Sequence, residues 1–168
     1  MEVRKPLRKS VLQSKTVLQV KTPIKKTGGK PKTKPKLKTV AKLKKEADAW
    51  WSKATRYRFA YKKDGEYWAD CITCGTPAPI KKLQCGHFMS RQYNSTRFLE
   101  QNTSPQCYGC NVMQQGKQYE FGIALDELYG AGTAKEMHRL AKIPHQFTRE
   151  ELKQIILDAR TEVNFYES

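Results

Sequence analysis

Cysteine spacing is the first feature of this chain that could do chemistry. Four of its five cysteines form two C-x-x-C pairs, Cys71 with Cys74 and Cys107 with Cys110. Each pair makes a tight turn that can point two thiolates at a common centre, and four thiolates suit a tetrahedral zinc ion. Such a site has no open position, so we predict a zinc that stabilises the fold. The alternatives are two redox dithiols or thiols without a metal, and Cys85 could lie beside the site or replace one ligand.

The segment between the two cysteine pairs contains a single histidine, His87, within the run C-G-H-F-M-S-R. Asn102 lies shortly before the second pair, and Asn111 directly follows it. A lone histidine is usually a core or surface residue, Asn102 could cap a turn, and Asn111 could cap the start of a helix. The segment that the paired cysteines enclose is therefore the candidate functional part of the chain.

This order of residues resembles that of the HNH nucleases, also called His-Me finger or ββα-metal enzymes, in the variant whose final histidine is asparagine. The blocks C-I-T-C-G-T, G-H-F-M-S-R, R-F-L-E-Q-N and Q-C-Y-G-C-N together look like the NinG/Rap family of lambdoid phages. Members of that family are recombination endonucleases that act on branched DNA. The resemblance covers about residues 45–125 and extends to the C-terminal helices. It implies an α+β fold, with a small zinc-stapled ββα-metal core braced by flanking α-helices.

The resemblance also implies roles for individual residues. His87 would be the general base, whose neutral imidazole takes a proton from the water that attacks the scissile phosphorus. Asn111 would offer its amide oxygen to a catalytic Mg²⁺ or Mn²⁺, and Asn102 would orient His87 or hold the ribbon. The cation would stabilise the negative charge that develops on the phosphate and on the leaving oxygen.

Two positions depart from the pattern of many HNH enzymes. Many carry a lysine three residues after the last motif residue, where this chain has Gln114 and Lys117 is the nearest substitute. Many also carry an acid or a second histidine just before the base. Gly86 occupies that position here, so a second protein ligand for the catalytic metal is open, with Asp70 and Glu100 as candidates. Phosphate contacts are expected from three basic side chains, Arg91, Arg97 and Lys117. Arg97 could instead pair with Glu100 on the surface.

Positive charge is concentrated in the first part of the chain. Residues 1–45 hold 16 Lys or Arg and one acid, for a net charge of +15, whereas the remainder carries +1. With four prolines and a Gly-Gly pair, residues 1–40 cannot bury a core, so we predict a disordered nucleic-acid-binding tail. The alternative is a tail that serves solubility alone. The tail lysines expected to contact DNA are Lys25, Lys26, Lys30, Lys32, Lys34 and Lys36.

Residues 41–168 are predicted to form one HNH-like endonuclease domain. Apolar residues at spacings of three or four predict a helix over 41–62. The zinc and ββα core is expected over 66–116, after a turn at Asp64-Gly65, and residues 117–165 are expected to be helical. Two T-x-x-E sequences, Thr133 to Glu136 and Thr148 to Glu151, are typical of capping boxes that begin helices.

Together with the charge and cysteine patterns, the resemblance implies a metal-dependent DNA endonuclease of phage recombination, selective for branched DNA such as Holliday junctions. A homodimer is expected, because a symmetric junction offers two scissile strands. Two alternatives stay open: a non-enzymatic zinc protein that binds DNA or RNA, and an HNH nicking or packaging nuclease. The sequence has no apolar run of ~18 residues and no signal core, so we expect no membrane partner and a cytoplasmic location, in the host bacterium for a phage protein.

Overall fold

Two long helices form the frame on which the described part of the protein packs. The computed structural model describes residues 37–168, so the six tail lysines up to Lys36 lie outside the described residues. Helix α1 (Val40–Arg58) lies against the C-terminal helix α5 (Arg149–Glu167), and an apolar seam that includes Leu43 and Leu152 joins them. At the C-terminal end of α1, the Arg58 guanidinium donates two hydrogen bonds, of 2.9 and 2.7 Å, to the Glu162 carboxylate of α5.

Helix α1 ends four residues earlier than predicted, because the following residues belong to a strand. Asp64 and Gly65 both have positive φ angles, 50° and 77°, which is the geometry of a tight hairpin turn. That turn pairs Tyr61 with Trp68, so Tyr61 starts a strand although its spacing matches the helix pattern. The predicted turn is confirmed, and the predicted helix over 59–62 was wrong.

The strands in the described residues form two antiparallel sheets. They are β1 (Tyr61–Lys63), β2 (Glu66–Asp70), β3 (Pro77–Pro79), β4 (Gln84–His87) and β5 (Thr103–Gln106). Strands β1 to β3 form one sheet, and β4 pairs with β5 in a two-stranded ribbon. The residues before β4, Ile80–Lys82, form a 3-10 turn, because Arg56 donates hydrogen bonds to the carbonyls of Ile80 and Leu83.

Strand alternation gives the ribbon two faces, and its register decides which residues share each face. Gln84 pairs with Gln106, and His87 pairs with Thr103. One face, here called the amide face, consists of Gln84, Gly86, Ser104 and Gln106. The opposite face, here called the histidine face, consists of Cys85, His87, Thr103 and Pro105.

Short helices follow each strand of the ribbon. They are α2 (Asn94–Arg97), a π-helical turn (Gly109–Met113), α3 (Gln118–Tyr129) and α4 (Thr133–Ala141). Phe88, directly after β4, packs against Phe121 of α3 and so ties the end of the ribbon to the C-terminal helices. Among residues 37–168, no helix combines the length and hydropathy that crossing a bilayer requires.

The two predicted capping boxes had different outcomes. The box at Thr148 is confirmed, because its side chain accepts from the Glu151 N–H and the Glu151 carboxylate accepts from the Thr148 N–H. The box at Thr133 was wrong. Gly132, with a φ of 92°, precedes α4 instead, and the Glu136 carboxylate binds an arginine one turn later.

Candidate metal centre and nuclease site

The four paired cysteines meet at one point of the fold. Cys71 and Cys74 lie in the turn after β2, and Cys107 and Cys110 lie in the turn after β5. Their sulfur atoms are all within 4.8 Å of one another. Backbone N–H groups support the sulfurs, since Cys107 donates to Cys71 Sγ at 3.3 Å and Cys110 donates to Cys107 Sγ at 3.4 Å.

The electrostatics of this cluster require a cation when the thiols ionise. Burial opposes ionisation of Cys71, but hydrogen bonds from Thr73 and from backbone N–H groups lower its pKa to about 6. Burial, and then the thiols of Cys107 and Cys74, raise the pKa of Cys110 to about 12. Four thiolates this close repel one another unless a metal compensates them. The cluster can therefore hold a structural metal such as zinc, and it leaves no position open for a substrate.

Cys85 is not one of the clustered cysteines. It lies on the histidine face of the ribbon beside Thr55 and Arg56 of α1, and burial raises the pKa of its thiol to about 11. Of the two roles left open by the sequence, Cys85 takes that of a packed thiol.

His87 lies at the end of β4, under the edge of α1. Its Nε2 is 3.2 Å from the carbonyl oxygen of Arg97, and a carbonyl only accepts, so Nε2 carries the proton and Nδ1 is the basic nitrogen. Burial, followed by the charge of Arg91, lowers the pKa of His87 to about 4, although the carbonyls of Arg97 and Cys85 act in the opposite direction. The imidazole is therefore neutral at pH 7.

Asn102 is fully buried and binds only backbone in the described structure. Its Oδ1 accepts from the Met89 N–H at 2.6 Å, and its Nδ2 donates to the carbonyls of Met89 at 3.0 Å and Thr96 at 2.9 Å. Its own carbonyl accepts from the N–H of Phe88 at 2.9 Å. Asn102 thus shapes the segment that follows His87 and touches the imidazole with none of these bonds.

Asn111 lies in the π-helical turn and contacts the amide face. Its Nδ2 donates a 2.6 Å hydrogen bond to Gln84 Oε1, which leaves Oδ1 as the atom that could bind a cation. Gln84 and His87 point to opposite faces of the ribbon. Asn111 therefore approaches one face while His87 lies on the other, and no hydrogen bond described here joins the two.

Gly86 explains why no ligand precedes His87. A Cβ at this position would lie 2.2 Å from Gln106 Oε1, so the Gln106 side chain occupies the space of a side chain at residue 86. Gln106 Nε2 donates to the Gly116 carbonyl at 2.8 Å, whereas Gln106 Oε1 and Ser104 Oγ are buried without a hydrogen-bond partner. No sequence motif pointed to Gln84 and Gln106, although the period-two alternation along the two strands places both on one face.

The two carboxylates considered as metal ligands are engaged elsewhere. Asp70 accepts a 3.0 Å hydrogen bond from the Tyr61 hydroxyl, and Glu100 Oε1 lies 3.8 Å from Arg58 Nε. For Mg²⁺ or Mn²⁺, the amide face matches in donor type, because hard cations prefer oxygen, but its oxygens are all neutral. Gln106 Oε1 has no partner but is fully buried against Gly86, so Asn111 Oδ1 is the oxygen at this face that could bind a cation.

The predicted phosphate-binding residues differ in solvent exposure and in their ion pairs within the protein. Arg91 is exposed. Arg97 donates hydrogen bonds of 2.8 and 2.6 Å to the Asp48 carboxylate and another to the Arg91 carbonyl, and its side chain is 13% exposed. Lys117 Nζ lies 3.7 Å from Glu120 Oε1. No sequence motif pointed to Asp48 of α1 either, because its contact with Arg97 joins residues 49 positions apart.

Similarity to a known protein family extends over nearly the whole chain. Neither the curated proteins nor the solved structures with which it was compared gave a match. A family model described as the bacteriophage lambda NinG protein matches residues 2–167. That range includes both cysteine pairs, His87 and Asn111. The chain therefore belongs to the NinG family.

Proposed function

We propose that this NinG-family protein is a metal-dependent DNA endonuclease of phage recombination, with an HNH-type ββα core and selectivity for branched DNA such as Holliday junctions. The observation that carries the proposal is the setting of His87. Its Nε2–H is bound by the Arg97 carbonyl, so a neutral ring presents Nδ1 as a proton acceptor. The order of ribbon, four-cysteine cluster and helical turn supports the HNH assignment.

In the proposed reaction, His87 Nδ1 accepts the proton of a water that attacks the scissile phosphorus. A bound Mg²⁺ or Mn²⁺ supplies neutralisation of the charge that develops on the phosphate oxygens. Asn111 Oδ1 would be a ligand of that cation. A phosphate near His87 would raise its low pKa toward neutrality, because an anion favours the imidazolium. DNA binding would therefore make His87 a stronger base.

Affinity for DNA is proposed to come from exposed cations outside the reaction site. Arg91 and Lys117 lie on segments that flank the ribbon, and the lysine-rich residues 1–36 would add attraction without sequence preference. A homodimer would give each of two scissile strands its own site. The proposed location is the cytoplasm of the phage host.

A second candidate function is a zinc-containing DNA- or RNA-binding protein without catalysis. One observation favours it: His87 lies on one face of the ribbon, and Asn111 contacts the opposite face. In that case, His87 would be a packed imidazole and its substitution would leave nucleic-acid function intact.

The deciding experiment compares wild type, His87→Ala and the exposed-histidine control His138→Ala on a labelled immobile four-way junction. Mg²⁺ or Mn²⁺ is added to metal-depleted buffer, and zinc content and junction binding are measured in parallel. The nuclease proposal expects cuts by wild type and by His138→Ala alone, with zinc and binding equal in all three proteins. If all three proteins bind and none cuts junctions, flaps or duplex, the binding protein is the better description.

A further inference from the structure

Helix α1 contacts the surroundings of His87 with two side chains that are three residues apart. Residues at this spacing lie on the same side of a helix, and here they are Asp48 and Trp51. Asp48 binds Arg97 of α2, and Trp51 Nε1 donates a 3.1 Å hydrogen bond to Thr103 Oγ1. Arg97 offers its carbonyl to the imidazole, and Thr103 pairs with His87 across the ribbon. The helix that precedes the ribbon therefore holds both of these neighbours of His87.

The contact between Asp48 and Arg97 is a two-point ion pair. Arg97 Nε and Nη2 donate to the two carboxylate oxygens of Asp48, at 2.8 and 2.6 Å. The two side chains are only 13% and 19% exposed, so water and salt screen this pair less than a pair on the surface. A guanidinium bound at two points to a carboxylate has a defined orientation, which a single contact does not give. The ion pair therefore fixes Arg97 relative to α1.

The backbone of Arg97 gains little support from its own helix. Helix α2 has four residues, and a single turn is not stable by itself. Arg97 is its last residue, so the Arg97 carbonyl has no partner within the helix and accepts the Nε2–H of His87 at 3.2 Å. Asn102 holds the preceding carbonyl, that of Thr96. We therefore expect the orientation of the Arg97 carbonyl to depend on the side-chain pair with Asp48.

The orientation of this carbonyl decides which nitrogen of His87 can accept a proton. A neutral imidazole carries its proton on Nε2 or on Nδ1, and the hydrogen bond that one nitrogen makes selects the form. A displaced Arg97 carbonyl would let part of the population carry the proton on Nδ1. Resting on the nuclease function proposed above, we propose that Asp48 is a positioning residue for His87. Through the Arg97 guanidinium, it holds the carbonyl that keeps the imidazole proton on Nε2 and leaves Nδ1 free.

The first measurement is the tautomer of His87 in the zinc-loaded full chain without DNA. Two-bond proton–nitrogen correlation spectra at neutral pH separate the two tautomers, and the His87 signals are those that are missing from His87→Gln. Wild type is expected to show the Nε2–H form alone. Asp48→Asn keeps the shape of the side chain but replaces one acceptor by a donor, which opposes the guanidinium. In this variant, the two ring nitrogen signals are expected to shift toward one another, as in a mixture of tautomers.

The second measurement is the single-turnover rate at which a labelled four-way junction is cut, with Mn²⁺ and saturating protein. Asp48→Asn is expected to lower this rate about 10- to 100-fold, which is the usual effect of losing a group that orients a functional histidine. Asp48→Glu keeps a carboxylate for the Arg97 fork and is expected to retain the wild-type tautomer and most of the rate. Glu46→Gln is the matched control. It neutralises another acid of α1, which pairs with Lys38 at 2.6 Å, and is expected to change neither readout.

Zinc content and thermal unfolding establish that each variant is folded. If Asp48→Asn does not fold, Arg97→Lys takes its place with the same expected results, because lysine keeps the charge but not the two-point contact.

The tautomer is measured without DNA, so the inference can fail independently of the nuclease proposal. An unchanged Nε2–H form in the folded Asp48 variant overturns the inference even if wild type cuts junctions. A shifted tautomer with an unchanged cleavage rate also overturns it, because the reaction would then not depend on this positioning. A shifted tautomer in a protein whose wild type cuts no DNA supports the link from Asp48 to His87 and counts against the nuclease.

Discussion

Asn102 binds both backbone polar groups of Met89, accepting from its N–H at 2.6 Å and donating to its carbonyl at 3.0 Å. A third bond, to the Thr96 carbonyl, closes the segment after His87 into one fixed shape. The middle asparagine of the proposed motif, Asn102, therefore stabilises the backbone conformation of the segment that follows His87.

We predict that Asn102→Ala lowers the free energy of unfolding by about 3 kcal/mol, since it leaves buried backbone groups unsatisfied. Chemical denaturation of zinc-loaded protein measures the loss. Asn164→Ala, at an exposed position of α5, is the control and should stay within about 0.5 kcal/mol of wild type. A stable Asn102→Ala protein would contradict the structural role.

Zinc binding is expected to depend on the clustered cysteines and not on Cys85. Cys74→Ser should lose the bound zinc and much of its thermal stability, because metal binding and folding are coupled. Cys85→Ala should retain one zinc per chain, since this thiol packs against α1. Zinc is measured by elemental analysis of purified protein. Loss of zinc from the Cys85 variant would show that the cluster of four is not the complete ligand set.

The stability of the protein should fall with acid partly through His87. Burial lowers its folded-state pKa to about 4, below the ordinary value of about 6.5, so between these values the unfolded chain binds more protons. The stabilisation is fully present above about pH 6.5 and is lost as the pH falls toward 4, by about 3 kcal/mol.

The measurement is the difference in unfolding free energy between wild type and His87→Gln across this pH range, which cancels the acid effect of the cysteine cluster. His138→Gln serves as the control and should follow wild type. If wild type and His87→Gln lose stability in parallel, the imidazole titrates normally in the folded state.

Substitution of Arg91 should mainly weaken DNA binding, whereas substitution of Arg97 should mainly lower stability. Arg91→Ala is expected to weaken junction binding and to reduce the salt dependence of affinity by about one unit of slope, because Arg91 is exposed. Arg97→Ala is expected to cost about 2 kcal/mol of stability, since it leaves the Asp48 carboxylate without its partner.

Binding titrations at several salt concentrations and denaturation curves measure the two effects. Asp48→Ala is the matched control, because it breaks the same ion pair without removing a cation. A reduced salt slope with unchanged stability in Arg97→Ala would instead make Arg97 a phosphate contact.

Gly86 and Gln106 should be coupled across the ribbon. Gly86→Ala is expected to destabilise the protein by about 1–3 kcal/mol, because the new Cβ would lie 2.2 Å from Gln106 Oε1. The double variant Gly86→Ala, Gln106→Ala has room for the new Cβ. Its loss of unfolding free energy should therefore be about 1 kcal/mol smaller than the sum of the losses in the two single variants. Denaturation of the four proteins in this cycle gives the coupling. Strictly additive losses would mean that the two side chains do not compete for the space.

Sequence alone was sufficient for features that depend on neighbouring residues. The two C-x-x-C turns, the Asp64-Gly65 hairpin and the Thr148 capping box follow from local backbone geometry, and the structure confirms each of them. The NinG resemblance rested on ordered blocks of residues and is confirmed by the family match. At Tyr61 strand pairing replaced the predicted helix, whereas at Thr133 another local arrangement, with Gly132 before the helix and Glu136 bound to Arg139, replaced the predicted capping box.

Only the tertiary structure decided which residues face one another. The pairing of Gln84 with Gln106 sets the amide face, and a shift of one residue would have sent His87 to the side of Asn111. The bond between Arg97 and Asp48 spans 49 positions, so no local pattern could predict it. Residue types and spacing determined what chemistry was available, whereas register and helix packing determined which groups meet, because those depend on contacts between distant parts of the chain.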